Sequence, residues 1–181
     1  MKILLIGPQG SGKSTQGKLL ANYLKIPYIS TGDIFREKSL QDTKEGRKIK
    51  QILDKGQLVD DQTTKQLVKE RLQRDDAQNG YILDGYPRTS DQVDLFNVST
   101  FKPDWVVYLK IPDEIAIERL MKRGRADDTL QIIKTRLHLY KDKTAALLGF
   151  LKGYGNIVEI NGQGSIEEVS QRMREALNGQ E

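Results

Sequence analysis

The residues from Gly7 to Thr15 constrain the fold of this chain more than any other stretch. They read Gly-Pro-Gln-Gly-Ser-Gly-Lys-Ser-Thr, with four residues between Gly7 and the run Gly12-Lys13-Ser14. This is the spacing of a phosphate-binding loop, in which glycines let successive backbone N–H groups turn inward around an anion. The apolar run 3–6 comes before the loop and a helical pattern follows it, so the loop joins a buried strand to the start of a helix. A Gly-rich turn that merely ends a strand is the alternative, and it does not account for this flanking pattern.

The loop predicts a site for the phosphates of a nucleotide. Lys13 can reach the β- and γ-phosphates, and the Ser14 hydroxyl can help to hold Mg²⁺. The residues expected around the phosphates are Gly10, Ser11, Gly12, Lys13, Ser14 and Thr15.

The rest of the chain alternates between strands and helices. Segments of helical periodicity, including 13–24, 129–152 and 166–177, separate short apolar runs at 2–6, 27–29, 80–84, 105–109 and 156–160. This order predicts an α/β fold in which helices cover both faces of a parallel sheet. Ser30 and Asp33 fit a capping box at one helix start, and another helix is expected around Val93 and Phe96.

Composition excludes several classes of protein. The 181 residues suit one domain, and 37% hydrophobic with 30% charged residues is a globular composition. Without Cys there is no disulfide, thiolate zinc site or catalytic thiol. No apolar run approaches the roughly 18 residues of a membrane span, and the start of the chain leads directly into the loop, so we expect a cytoplasmic protein without a signal peptide or membrane partner. The net charge is +4, but the Lys and Arg residues are interspersed with 25 acidic residues and form no long basic block. We therefore expect no nucleic-acid partner.

Polar clusters follow three of the predicted strands, at 30–36, 84–88 and 162–164. In an open α/β sheet, ligands bind beyond the carboxyl ends of the strands. Asp84 ends an apolar strand, where a carboxylate beside a phosphate loop is expected to bind Mg²⁺, although it could also be an ordinary turn cap. Arg88 could present its guanidinium to a phosphate or only pair with Asp84. The arginines of the run 119–128 could likewise bind phosphate or form a solvated helix end.

These segments together resemble the adenylate kinase family, and the resemblance covers essentially the whole chain. It is carried by residues 7–15, by Ser30-Thr-Gly-Asp-Ile-Phe-Arg36, by Gly56-Gln-Leu-Val59, by Asp84-Gly-Tyr-Pro-Arg-Thr89 with Gln92, and by Arg123-Gly-Arg125-Ala-Asp-Asp128 with Arg136.

The resemblance implies a P-loop kinase of five parallel strands. Residues 1–181 would form one domain, 30–59 a helical monophosphate-binding insert and 123–128 a very short lid, because only Gly124 separates Arg123 from Arg125. The large zinc-holding lid of some members is absent, as expected from the lack of Cys.

The resemblance also implies roles for individual residues. The catalytic cations would be Lys13, Arg88, Arg123, Arg125 and Arg136. Besides the loop, Arg119 and Gly164 would contact ATP. AMP would be held by Thr31, Arg36, Gln57, Leu58, Val59, Gly85, Tyr86, Pro87, Arg88, Gln92, Arg125 and Arg136. Ser14 and Asp84 would hold Mg²⁺, mainly through water.

The implied reaction is reversible transfer of the terminal phosphoryl group of Mg-ATP to AMP by a monomeric enzyme. Thr31 and Gln92 resemble the AMP-selective members, since a Gln amide can both donate to and accept from an adenine edge. The acceptor phosphate is already ionised near neutral pH, so no general base is needed. The alternatives are a UMP or CMP kinase and, from another class, a nucleotide-dependent binding module that rarely turns over or a nucleic-acid binder.

Overall fold

The structure, a computed structural model, describes residues 1–55, 57, 59–124 and 129–178, without the side chains at positions 136, 139 and 143–145. The strands are β1 (Lys2–Ile6), β2 (Tyr28–Ser30), β3 (Tyr81–Asp84), β4 (Trp105–Lys110) and β5 (Asn156–Asn161). The helices are α1 (Lys13–Leu24), α2 (Thr31–Ser39), α3 (Lys44–Asp54), α4 (Asp61–Leu72), α5 (Asp113–Arg123), α6 (Leu130–Leu151) and α7 (Ile166–Asn178). Short 3₁₀ segments lie at Asp75–Ala77, Ser90–Asn97 and Ser99–Phe101.

The five strands form one parallel sheet in the order β2-β3-β1-β4-β5, which confirms the predicted α/β architecture. All carboxyl ends lie at the same edge, so the segments that follow β1, β2, β3 and β5 meet there. The register fixes this meeting, because Asp84 at the end of β3 lies between Leu5 of β1 and Ser30 of β2.

Alternate residues of the central strand β1 enter two separate cores. Leu4 and Ile6 pack with α4, α6 and the segment Ser90–Asn97, whereas Ile3 and Leu5 pack with α1 and α7. Both faces of the sheet are therefore covered by helices, as the unbroken apolar run of β1 predicts. No helix in the described ranges combines the length and apolar content needed to cross a bilayer.

The helices between β2 and β3 have a smaller core of their own. Ile49 of α3 packs with Val59 and Leu67, and the buried residues of α3 are Gly46 and Ile49. This agrees with the sparse apolar positions of the segment. A helix with so few buried contacts opens more easily than the sheet does.

Two local predictions were wrong. The predicted capping box does not form in this described part of the chain: Ser30 is the N-cap residue of α2 but makes no side-chain cap bond, and Asp33 pairs with Arg36 instead. The helix predicted around Val93 is a 3₁₀ segment rather than an α-helix. The Gln92 carbonyl accepts a hydrogen bond from Tyr86 Oη at 2.6 Å, and this external partner favours the tighter turn.

Candidate active site

The phosphate loop takes its shape from backbone conformations that favour glycine. Gly12, the N-cap residue of α1, has φ 91°, and Gly10 has φ 82°, both in the left-handed region. A Cβ on Gly10 would approach Ala116 O to 2.7 Å, so the close packing against α5 also requires glycine. The loop therefore presents the N-terminus of α1 to the sheet edge, as the sequence predicts.

Lys13 lies across this loop. Its Nζ donates to Gly7 O at 2.6 Å and to Pro8 O at 2.8 Å. Desolvation in the crowded loop lowers the pKa of Lys13 to about 8; the charge of Asp84 acts against this shift and that of Arg88 adds to it. The three predicted charged residues are thus close enough to influence one another, so the structure brings them to one place.

Asp84 is buried, with 6% of its surface exposed, and two hydroxyl groups hold its carboxylate. Ser14 Oγ donates to Asp84 Oδ2 at 3.1 Å, and Tyr28 Oη donates to the same oxygen at 2.6 Å. Desolvation, followed by the charge of Asp84, raises the pKa of Tyr28, so the phenol keeps its proton and remains a donor. Sequence reasoning missed Tyr28, because its role depends on the pairing of β2 with β3.

The donor set at this position fits Mg²⁺. A buried carboxylate and a serine hydroxyl are hard oxygen ligands of the kind that Mg²⁺ prefers, next to a loop suited to phosphates. Among the described residues there is no cluster of three or more His, Cys, Asp or Glu side chains that could hold a metal ion.

The turn after β3 contains the residues predicted to bind the acceptor phosphate. Arg88 Nε donates to Gly85 O at 2.9 Å, and the buried Thr31 donates its Oγ1 proton to the same carbonyl at 3.3 Å. Tyr86 is fully buried and is joined to Pro87 by a cis peptide bond. The structure therefore places the start of α2 directly against this turn.

Gln92 lies beside the turn with only 3% of its surface exposed. Its Oε1 accepts from the Arg88 backbone N–H at 2.8 Å, and its Nε2 donates to Asp61 Oδ1 at 2.6 Å. Thr89 Oγ1 donates to the other oxygen of Asp61 at 2.9 Å. Sequence reasoning missed Asp61, whose only local signal is that of an acidic residue in the first turn of α4.

Other predicted AMP residues lie around the α2–α3 region. Arg36 pairs with Asp33, and 64% of its side chain is exposed, so solvent can reach the guanidinium. Val59 is buried, and Gln57 is exposed with its backbone N–H bonded to Ile52 O at 3.0 Å.

Arg119 connects the phosphate loop to the segment after β5. Its guanidinium contacts Gly10 O at 3.5 Å and Gly164 O at 3.4 Å, so two predicted ATP residues meet at the loop. Gln16 of α1, which sequence reasoning missed, donates its Nε2 proton to Ile166 O at 2.9 Å. The end of β5 and the start of α7 are thereby tied to the phosphate loop.

Several predicted site residues lie outside the described residues, and three others are exposed. Leu58, Arg125 and the side chain of Arg136 lie outside the described residues, as do positions 125–128 of the predicted lid. Ser14, Thr15 and Arg123 are exposed; Arg123 is the last residue of α5, which Gly124 ends with φ 64°.

Comparisons of the sequence with known proteins point to one family. The adenylate kinase family model matches residues 5–156. An adenylate kinase of Bifidobacterium longum is 45% identical over 181 residues, covering 96% of this chain and 97% of the relative. Those of Mycobacteroides abscessus and Corynebacterium urealyticum are 42% and 40% identical, each over 98% of this chain and 99% of the relative.

Proposed function

This chain belongs to the adenylate kinase family of enzymes, which transfer phosphoryl groups between adenine nucleotides, and we propose that its own reaction is the reversible transfer of the terminal phosphoryl group of Mg-ATP to AMP. An oxygen of the AMP phosphate attacks the γ-phosphorus as the bond to the β-phosphate oxygen breaks. Both products are then ADP. The observation that best supports this proposal is the shared position of Lys13, Asp84 and Arg88 at the carboxyl edge of β1 and β3.

On the donor side, the backbone of residues 10–15 would hold the phosphates of ATP, and Lys13 would neutralise their charge. Lys13 already lies within the loop at hydrogen-bonding distance of Gly7 and Pro8. A fixed cation of this kind stabilises the charge that develops on the transferring group without first having to reorganise. Arg119 and Gly164 would border the adenine.

Ser14 and Asp84 would hold the Mg²⁺ that accompanies ATP, and Tyr28 would orient the carboxylate. When bound at these residues, the ion would supply positive charge that neutralises the phosphates of ATP. Asp84 is well prepared for this role, since the Ser14 and Tyr28 hydroxyls both bond to its Oδ2.

On the acceptor side, Arg88 would hold the AMP phosphate, with Arg36, Arg125 and Arg136 as further cations. Arg123 would lie near the phosphates of ATP. Thr31, the segment 57–59, the turn 85–87 and Gln92 would surround the nucleotide. The nucleophile is an ionised phosphate oxygen, so these residues would position two anions rather than remove a proton. We also propose that residues 30–59 and 123–128 close over the nucleotides within one domain and exclude water.

The test is a panel of acceptors, in which ATP with Mg²⁺ is offered AMP, UMP, CMP or GMP and ADP formation is followed. AMP is expected to be the best acceptor. Arg88→Ala should lower kcat at least about a hundredfold, which corresponds to on the order of 3 kcal/mol of transition-state stabilisation. Arg174→Ala is the control, because this arginine stacks on the ring of Tyr23 on α1. Faster transfer to UMP or CMP, or a normal rate for Arg88→Ala, would overturn the proposal.

A further inference from the structure

The amide of Gln92 is bound on both sides by groups of fixed polarity. The Arg88 backbone N–H can only donate, and it donates to Oε1 at 2.8 Å. A carboxylate can only accept, and that of Asp61 accepts from Nε2 at 2.6 Å. The assignment of oxygen and nitrogen in this amide therefore follows from the chemistry of its neighbours.

Rotation of the amide by 180° would be unfavourable at both contacts. Oε1 would then face the carboxylate of Asp61, and the Nε2 protons would face the N–H of Arg88. At a site with 3% exposure, water cannot replace the lost bonds. Gln92 consequently has one amide orientation.

Asp61 is itself held in place. Thr89 Oγ1 donates to Asp61 Oδ2 at 2.9 Å, so the two carboxylate oxygens have different partners. Asp61 is the first residue of α4, where the helix N-terminus favours a negative charge. The backbone of Gln92 is fixed too, because Tyr86 Oη donates to its carbonyl and the Tyr86 ring packs edge-on against Phe96.

The orientation of this amide decides which purine edge it can match. After its two protein bonds, the amide keeps one N–H and one oxygen lone pair. The edge of adenine offers an acceptor at N1 and a donor at its 6-amino group, whereas hypoxanthine and guanine offer a donor at N1 and an acceptor at O6. An amide that could rotate would match both edges, but a fixed amide matches only one.

We propose that Asp61 is a positioning residue that locks the Gln92 amide and thereby makes the acceptor site select a 6-aminopurine over a 6-oxopurine monophosphate. The inference rests on the proposed function, in which Gln92 faces the base of AMP. IMP is the sharpest probe, since it keeps the sugar and phosphate of AMP and reverses the polarity of this one edge.

The test compares kcat/KM for AMP and for IMP, with Mg-ATP as donor. Asp61→Asn replaces the carboxylate with a group of the same shape that can either donate or accept, so the contact at Nε2 no longer opposes rotation of Gln92 and only the Arg88 N–H still does. The AMP-to-IMP ratio should fall at least about tenfold, mainly through a lower KM for IMP. Asp91→Asn is the matched control, because it removes an exposed carboxylate next to Gln92 in the sequence and should leave the ratio unchanged.

Thr89→Val provides a second route to the same result. It removes the bond that fixes Asp61 and should lower the ratio in the same direction by a smaller factor. An unchanged ratio in both Asp61→Asn and Thr89→Val would overturn the inference, and urea unfolding of each variant identifies any general loss of stability.

Gln92→Leu distinguishes failure of the Asp61 lock from failure of the proposed contact between Gln92 and the base. This variant should lose most of the preference for AMP, and adding Asp61→Asn to it should change the ratio no further. Retention of the preference in Gln92→Leu would overturn both the base contact and the lock. Loss of preference in Gln92→Leu with an additional independent fall in the double variant would overturn the lock alone.

Discussion

The two sides of the proposed site are built from different kinds of interaction. On the phosphate-loop side, residues 7–15 take their shape from glycine conformations, and Lys13 bonds to main-chain carbonyls within six residues of itself. On the acceptor side, Gln92 is held by side chains and backbone from α4 and the turn after β3. The first arrangement is local in sequence, and the second exists only after distant segments have packed. Under the proposed function, the backbone would therefore place the charges on the donor side, and a side-chain network would select the base on the acceptor side.

The foundations of the two sides also differ. The phosphate loop follows β1, the central strand of the sheet, whose residues are buried in both main cores. The acceptor side borders α3, which has Ile49 as the main contributor to a small separate cluster. A donor side that follows a buried central strand, next to an acceptor side that opens more easily, fits the proposed entry of a second nucleotide followed by closure.

Replacement of Lys13 should have the largest effect. Lys13→Met keeps most of the length of the side chain but removes the cation within the phosphate loop, so kcat should fall at least about a hundredfold, on the order of 3 kcal/mol. A coupled assay of ADP formation measures this. Lys18→Met, one turn further along α1 where the ammonium lies 5.9 Å from the Tyr28 ring centroid, is the control and should retain most of the rate. Similar rates for both variants would contradict the assigned role of the loop cation.

Tyr28→Phe tests whether a side-chain contact also matters on the phosphate-loop side. It removes one of the two hydroxyl bonds to Asp84, and a hydrogen bond to a charged group is worth about 1.5 kcal/mol or more. The Mg²⁺ concentration for half-maximal rate should therefore rise about tenfold, and titration of Mg²⁺ in the presence of ATP should show the same weakening. Tyr81→Phe is matched to it, since Tyr81 lies in β3 of the same sheet and its Oη donates to the carbonyl of Phe101 at the end of a 3₁₀ segment. Equal effects in the two variants would show that Tyr28 is merely structural.

The same substitution, Ile→Val, can be made in the core beneath each of the two sides. Ile82→Val and Ile49→Val each remove one buried methylene, from the main core and from the small cluster, at a cost of about 1 kcal/mol. Ile82→Val should lower the free energy of global unfolding by that amount and leave the KM for AMP unchanged. Ile49→Val should raise the KM for AMP about fivefold and lower the global value less, because α3 can open without the sheet. An equal loss of global stability in both variants, with no change in the KM for AMP, would contradict the separate opening of α3.

The smallest effect concerns the start of α4 and appears only in acid. The hydrogen bond from the Thr63 backbone N–H lowers the pKa of the Asp60 carboxyl below its normal value. The stability it contributes is therefore complete above the unfolded-state pKa of about 3.9 and is lost as pH falls through the lower folded-state pKa. Asn is a comparable cap residue that does not titrate. Thermal unfolding should show a shallower loss of stability below about pH 4 for Asp60→Asn than for the wild type, and parallel curves would exclude this contribution.

The sequence predicts those features of the fold that depend on residues close to one another along the chain. The bounds of α1 match the prediction because Gly12 and the helical pattern after it are local signals, and the parallel sheet follows from the alternation of strands and helices. Tyr28 and Asp61 could not be predicted, because their partners are 56 and 31 residues away and depend on the pairing of β2 with β3 and the docking of α4. The capping box at Ser30 failed for a different and local reason, since Asp33 pairs with Arg36 three residues further along α2.

The contacts of Gln16 with Ile166 and of Arg119 with Gly164 determine when the surroundings of the phosphate loop can form during protein synthesis. The loop is translated before the groups that border it, and Ile166 follows Gln16 by 150 positions. A nascent chain on the ribosome therefore lacks these contacts until residue 166 has emerged. Under the proposed function, ATP can stabilise the folded chain through the complete site only after that point.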